Sequence, residues 1–129
     1  MADKHAIEQS LAIMAKLRDP DSGCPWDLKQ DFKSIVPHTL EEAYEVADCI
    51  EKGELTELKS ELGDLLFATV NVARHIKRDP EQLLRSANAK FASRFEKVAA
   101  YLDERGQSLE TASLEEMDSA WEAIKKQAR

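Results

Sequence analysis

Between Glu54 and about Arg78 the apolar residues recur at helical spacing, with no proline to interrupt them. Leu55, Leu58, Leu62, Leu65, Leu66, Thr69, Ala73 and Ile76 fall on one stripe. A stripe of that length excludes a strand there and needs another element to cover it. Lys52-Gly53 breaks the pattern just upstream. Before the break a second amphipathic helix is expected from near Thr39, with Pro37 ahead of it and Leu40, Ala43, Tyr44, Ala47 and Ile50 on its apolar side. Thr39 and Glu42 have capping-box spacing. Two long helices joined by a short turn must fold back on each other as an antiparallel pair.

That pairing concentrates negative charge. Residues three or four apart share a helix face, so Glu42 and Glu45 point together, as do Glu61 and Asp64. The turn would bring all four carboxylates close. Like charges repel at such range, more so when buried. Either they splay into water or a cation sits among them. A capping role for Glu42 would compete with a metal role. Gly63, between Glu61 and Asp64, costs about 1 kcal/mol against alanine inside a helix and would let another helix approach closely.

Four carboxylates are hard oxygen ligands, which suit Mg²⁺ or Mn²⁺ and a phosphorylated ligand. Lys90 and Arg94 are candidates to hold outer phosphates, and Trp26 or Trp121 to stack on a base. Each residue also has a plainer role open to it. Acidic pairs are common on solvated helix faces, Lys90 and Arg94 form a cationic stripe, Trp121 lies on an apolar stripe, and His38 and His75 are isolated. A di-iron carboxylate bundle would need Glu-x-x-His pairs. The residues three before the histidines are Ala2, Ile35 and Val72, which excludes it.

The rest of the chain reads as helices and turns. Ile7, Leu11, Met14 and Leu17 set a first helix from about Asp3 to Leu17. Asp19-Pro20-Asp21-Ser22-Gly23 is turn chemistry, and with Cys24-Pro25-Trp26-Asp27 it opens an irregular segment up to Phe32. Trp26 either plugs one end of the core or belongs to a functional loop. Asp79-Pro80 supplies an N-cap and a first helical proline. Leu83, Leu84, Ala87, Phe91, Phe95, Val98 and Leu102 form the expected inner face of the next helix, which Gly106 closes. Ser113 and Glu116 cap a last helix with Leu114, Met117, Trp121 and Ile124, and Lys125 one turn beyond Trp121. The expectation is an all-α bundle of about five helices, one domain over residues 1–129.

Charge and cysteine content limit the partners. A formal net charge of −7 disfavours a nucleic-acid polymer or an anionic membrane. No run of eighteen or more apolar residues suggests a spanning helix. Asp3, Lys4, His5 and Glu8 do not resemble a signal peptide, so a cytoplasmic protein is expected. Cys24 and Cys49 lack metal-site spacing and read as reduced thiols, with a disulfide left open.

Taken together, these segments resemble the MazG family of nucleoside triphosphate pyrophosphohydrolases, within the all-α NTP pyrophosphatase superfamily. The resemblance rests on Leu17-Arg18-Asp19-Pro20, Gly23-Cys24-Pro25-Trp26-Asp27 with Gln30, and Thr39-Leu40-Glu41-Glu42-Ala43-Tyr44-Glu45. It continues through Glu61-Leu62-Gly63-Asp64-Leu65-Leu66-Phe67, Asn88-Ala89-Lys90-Phe91, Arg94-Phe95, and Trp121 with Lys125. It implies a homodimer or homotetramer that uses Mg²⁺, or Mn²⁺ in its place, to hydrolyse NTPs or dNTPs to the monophosphate and pyrophosphate, often to clear unwanted nucleotides. Carried over, Glu42, Glu45, Glu61 and Asp64 would be the metal ligands, with Glu41 as a water-orienting carboxylate behind them. The substrate-binding candidates are Trp26, His38, Lys90, Arg94, Trp121 and Lys125. Many family members carry two modules, and one is expected here. The competing expectation is a non-catalytic helical module whose acidic face binds a basic protein.

Overall fold

The computed structural model describes residues 5–127, and every regular element in it is helical. In chain order these are α1 (Ala6–Leu17), α2 (Pro25–Leu28), α3 (Phe32–Lys52), α4 (Leu55–His75), α5 (Pro80–Glu104) and α6 (Leu114–Gln127). Five are long and α2 is a single turn, as expected of an all-α chain. The chain divides into two compact units, Met1–Gln82 and Leu83–Arg129.

In the first unit α3 packs against α4, and α1 also packs against α4. Gly53 makes the turn between α3 and α4. Its φ of 71° lies in the left-handed region, which costs glycine nothing. Its N–H donates to the Ile50 carbonyl, and the Glu54 N–H donates to that of Cys49, the Schellman closure. Glu45 and Glu61 lie equally far from Gly53 in sequence, and so do Cys49 and Glu57. Equal arms folded about one turn set these pairs opposite each other.

The expected start of α3 near Thr39 is wrong. The helix begins at Phe32 and runs through Pro37. Asp31 is the N-cap: its Oδ1 accepts from the Ser34 N–H at 2.8 Å, and its own N–H donates to Ser34 Oγ at 2.9 Å. This reciprocal cap starts the helix upstream, and Pro37 then removes one backbone donor without ending it. Thr39 lies mid-helix, its hydroxyl donating to the Ile35 carbonyl at 2.9 Å. The Thr39–Glu42 box therefore does not form, and Glu42 has no capping duty. At the other end α4 stops at His75, short of Arg78. Lys77 takes the left-handed conformation at φ 58°, and the Arg78 N–H reaches the Ala73 carbonyl.

The expected core face of α4 is largely uncovered. Leu55, Leu62, Leu66 and Ile76 are exposed, while Ala68 and Ala73 are the buried residues. On α3, Leu40, Tyr44 and Ile50 are exposed and Cys49 is buried. Periodicity shows which face is apolar; it does not show that one chain can cover it. Gly63 is also solvent-facing, and a Cβ there would meet nothing within 4 Å, so among the described residues no helix approaches it closely.

Helix α1 starts at Ala6; Asp3, its expected beginning, lies outside the described residues. After it, Asp19 Oδ1 accepts from the N–H groups of Asp21 and Ser22. These bonds, Ser22's first, hold the Asp19 carboxyl below its ordinary pKa. A Cβ at Gly23 would collide with the carbonyls of Leu17 and Asp19, so only glycine fits this turn. The segment then forms α2 instead of staying irregular. Trp26 is 69% exposed and plugs no core.

The second unit has its own core. Val98, Leu102, Ala120 and Ile124 are buried together, with Tyr101, Ala112, Met117 and Trp121 packed against them. The local signals at the ends of α5 and the start of α6 held. The Glu81 N–H donates to Asp79 Oδ1 at 3.0 Å. Gly106, at φ 71°, closes α5. Ser113 and Glu116 form a reciprocal box: Ser113 N–H to Glu116 Oε1 at 2.8 Å, Glu116 N–H to Ser113 Oγ at 3.1 Å. The expected inner face of α5 is buried only at its far end. Leu83, Leu84, Phe91 and Phe95 are exposed, as is Leu114 on α6. No helix among the described residues is long and apolar enough to cross a membrane.

Candidate metal centre

The antiparallel register brings together acids from both arms of the α3–α4 hairpin. Glu42, Glu45 and Glu61 each offer a carboxylate oxygen, and the three oxygens lie within 4.8 Å of one another. All three residues are half-buried. Glu42 Oε2 and Glu61 Oε2 are buried and accept no hydrogen bond from a described residue. Most buried polar atoms have a partner, and one without is costly.

The protonation equilibria report the same crowding. Glu61 has its pKa pushed up to about 7, first by a hydrogen bond with Glu45, then by burial, then by the charges of Glu45, Asp64 and Glu42. Glu42 is also raised, chiefly by burial and then by the Glu45 charge, with His38 opposing. His38 Nε2 stands 3.8 Å from Glu42 Oε1 on an exposed side chain. The crowded acids therefore favour added positive charge. A proton on Glu61 supplies some; a divalent cation would supply more and would also satisfy the two orphaned oxygens. All three donors are hard oxygens, the chemistry of Mg²⁺ or Mn²⁺.

The other expected residues are placed as follows. Asp64 is exposed and outside the tight trio, though its charge acts on both Glu42 and Glu61. Glu41 is exposed and lines a groove of about 670 Å³ together with Pro37, Leu40, Tyr44, Glu45 and Glu61. Trp26 is exposed on α2, in the same unit. In the other unit Lys90 is exposed and Arg94 half-buried, its Nε buried and without a hydrogen-bond partner among the described residues. Trp121 packs at 5.3 Å from the Phe91 ring, tilted by 48°, so it borders the α5–α6 core. Lys125 pairs with Glu122 at 3.8 Å.

The sequence reading leaves Pro37, Leu40 and Tyr44 without a role beside the acids, and it also leaves Cys49, Glu54 and Glu57 unassigned. Equal spacing about Gly53 is the signal that could have matched Cys49 to Glu57.

Residues 30–99 match the family described as the MazG nucleotide pyrophosphohydrolase domain. That span includes Glu41, Glu42, Glu45, Glu61, Asp64, Lys90 and Arg94, and leaves out Trp26, Trp121 and Lys125. The chain is 53% identical over 68 residues to the nucleoside triphosphate pyrophosphohydrolase of Escherichia coli K12, covering 53% of this chain and 26% of that protein. It is 34% identical over 116 residues to the nucleoside triphosphate pyrophosphohydrolase/pyrophosphatase MazG of Thermotoga maritima, covering 90% of this chain and 44% of that one. The chain thus spans less than half the length of these curated relatives. The crystal structure of a mazG-related protein from Thermotoga maritima superposes with a TM-score of 0.59 at 31% identity, covering 92% of this chain and 98% of that chain.

Proposed function

Given that the chain belongs to the MazG nucleotide pyrophosphohydrolase family, we propose that it is a Mg²⁺-dependent hydrolase. It would cleave nucleoside or deoxynucleoside triphosphates to the monophosphate and pyrophosphate, in cytoplasmic clearance of unwanted nucleotides. The observation that carries this reading is the Glu42–Glu45–Glu61 trio with its two buried, unpartnered oxygens.

Glu42, Glu45 and Glu61 would hold the ion, with Asp64 closing the set. When bound, Mg²⁺ would neutralise charge on the triphosphate and favour deprotonation of the attacking water. The chain supplies the rest. Glu41, exposed on the groove, would orient the water and accept its proton at a carboxylate oxygen. Lys90 and Arg94 would meet the departing pyrophosphate with their cationic ends. Trp26, His38, Trp121 and Lys125 would contact the rest of the nucleotide. A homodimer or homotetramer is proposed because Leu40, Leu62, Leu66 and Phe67 are exposed, and a second copy would cover such apolar surface.

The test is pyrophosphate release from a panel of canonical and modified dNTPs with Mg²⁺, with and without chelator. Chelator-sensitive release that yields the monophosphate supports the proposal. No release from any nucleotide would leave the acidic face as a site for a basic protein partner.

A further inference from the structure

A second group of donors lies nearer the hairpin turn. Cys49 Sγ and one carboxylate oxygen from each of Glu54 and Glu57 lie within 4.8 Å of one another. Cys49 is a free thiol, only 6% exposed, and it makes no hydrogen bond to a described residue. Its sulfur lies beside two exposed acids. Glu54 is the N-cap residue of α4, yet its side chain caps nothing. It instead shares a hydrogen bond with Glu57, which raises its pKa along with the Glu57 charge. Nearby Asp48 differs: Lys52 holds it at 2.9 Å.

The thiol alone is not reactive. Burial, then the charges of Glu57, Glu61, Glu54 and Asp48, push its pKa up, so it stays protonated at neutral pH. A redox or nucleophilic role is disfavoured, because such chemistry needs a thiolate in a positive setting. A divalent cation reverses that setting. It would give the buried sulfur a partner and bridge the two acids beside it.

We propose that Cys49, Glu54 and Glu57 form a second divalent-cation site, selective for a borderline metal such as Zn²⁺. One thiolate and two carboxylates, with a water, complete a tetrahedral shell. The thiolate distinguishes this set from the all-oxygen trio, which favours Mg²⁺. Zinc bonds of about 2.0–2.3 Å place neighbouring ligands about 3.3–3.8 Å apart. Donors already within 4.8 Å reach that spacing by side-chain rotation of the two exposed glutamates. On binding, the Sγ–H bond breaks, the Sγ–metal bond forms, and the proton passes to buffer; nothing is oxidised or reduced. The groove lined by Glu45, Cys49, Glu57 and Glu61 gives the ion its entry. Occupied, the site would tie the end of α3 to the start of α4 and fix the register that sets Glu45 against Glu61. It does not depend on the chain being a hydrolase.

The experiment is a Co²⁺ titration of the reduced full chain in excess Mg²⁺, without nucleotide. The expected result is a near-ultraviolet thiolate-to-cobalt absorption that saturates at one ion per chain and is displaced by Zn²⁺. Cys24→Ser should keep the band and Cys49→Ser should lose it. Because Cys49 is buried, the exposed pair Glu54→Gln/Glu57→Gln serves as the second variant and should weaken binding at least about tenfold. A missing band overturns the proposal. So does a band that survives Cys49→Ser, or one that the double glutamine variant leaves unchanged.

Discussion

Metal binding at the α3–α4 acids should depend steeply on pH near neutrality, and Glu61 sets the slope. Its carboxyl is pushed up to about 7 from an ordinary 4.5, led by its hydrogen bond with Glu45. A cation binds the ionised form, so protons compete with it. A group with that pKa is about nine-tenths ionised at about pH 8 and about one-tenth ionised at about pH 6. Apparent affinity for Mn²⁺ or Mg²⁺ should therefore fall about tenfold between them. An exposed carboxylate of ordinary pKa would stay ionised across the same range and give almost no change. Each ion bound should also release about 0.9 proton at about pH 6 but only about 0.1 at about pH 8. Calorimetric titration with Mn²⁺, without nucleotide, reads both quantities when repeated in two buffers of different ionisation enthalpy. Glu61→Gln should bind more weakly and lose the slope. Equal affinity at the two pH values, or a slope that persists in Glu61→Gln, would refute the assignment.

Four further outcomes are expected. Without metal, the raised Glu61 carboxyl binds more protons folded than unfolded between about pH 4.5 and pH 7, so its contribution to stability falls as pH rises through that window; thermal melts of the metal-free chain should show this loss, and Glu61→Gln should lack that share of it. Glu45→Gln and Glu61→Gln should each lower pyrophosphate release by about 100-fold or more while circular dichroism stays unchanged. Gly63→Ala, facing open space, should stabilise by up to about 1 kcal/mol, whereas Gly53→Ala, at φ 71°, should destabilise by about 1 kcal/mol; urea unfolding compares them. Asp31→Ala should cost about 1 kcal/mol through loss of the α3 cap, and more than Thr39→Ala in the same assay, because Thr39 caps nothing.

What the sequence revealed divides along the range of the forces involved. The Gly53 turn, the Asp79-Pro80 junction and the Ser113–Glu116 box depend on backbone groups a few residues away, so the local residue order locates them. The start of α3 depends on a local signal too, but a weaker one. Ser34, not a glutamate, answers the Asp31 cap, and Pro37 followed by Thr39 imitates a helix start. Burial was less legible. Leu62 and Leu66 carry the apolar period yet face outward, while Ala68 from the neighbouring row is buried, because coverage depends on what packs against the helix. The acids show both behaviours. Glu42, Glu45 and Glu61 converge as spacing and turn predict, but Asp64 is exposed and stands outside the tight group.

Gly53 acts as a common origin from which both helices count. One residue added to α4 between Glu57 and Glu61 would swing Glu61 about 100° around the axis and carry it about 1.5 Å along. The site would be dismantled although every carboxylate remained. Adding seven residues, about two turns, restores the angle but leaves the acid about 10 Å too far along. The two arms can therefore lengthen only in step, so insertions are confined to the connection at Gly53 or to stretches beyond the acids.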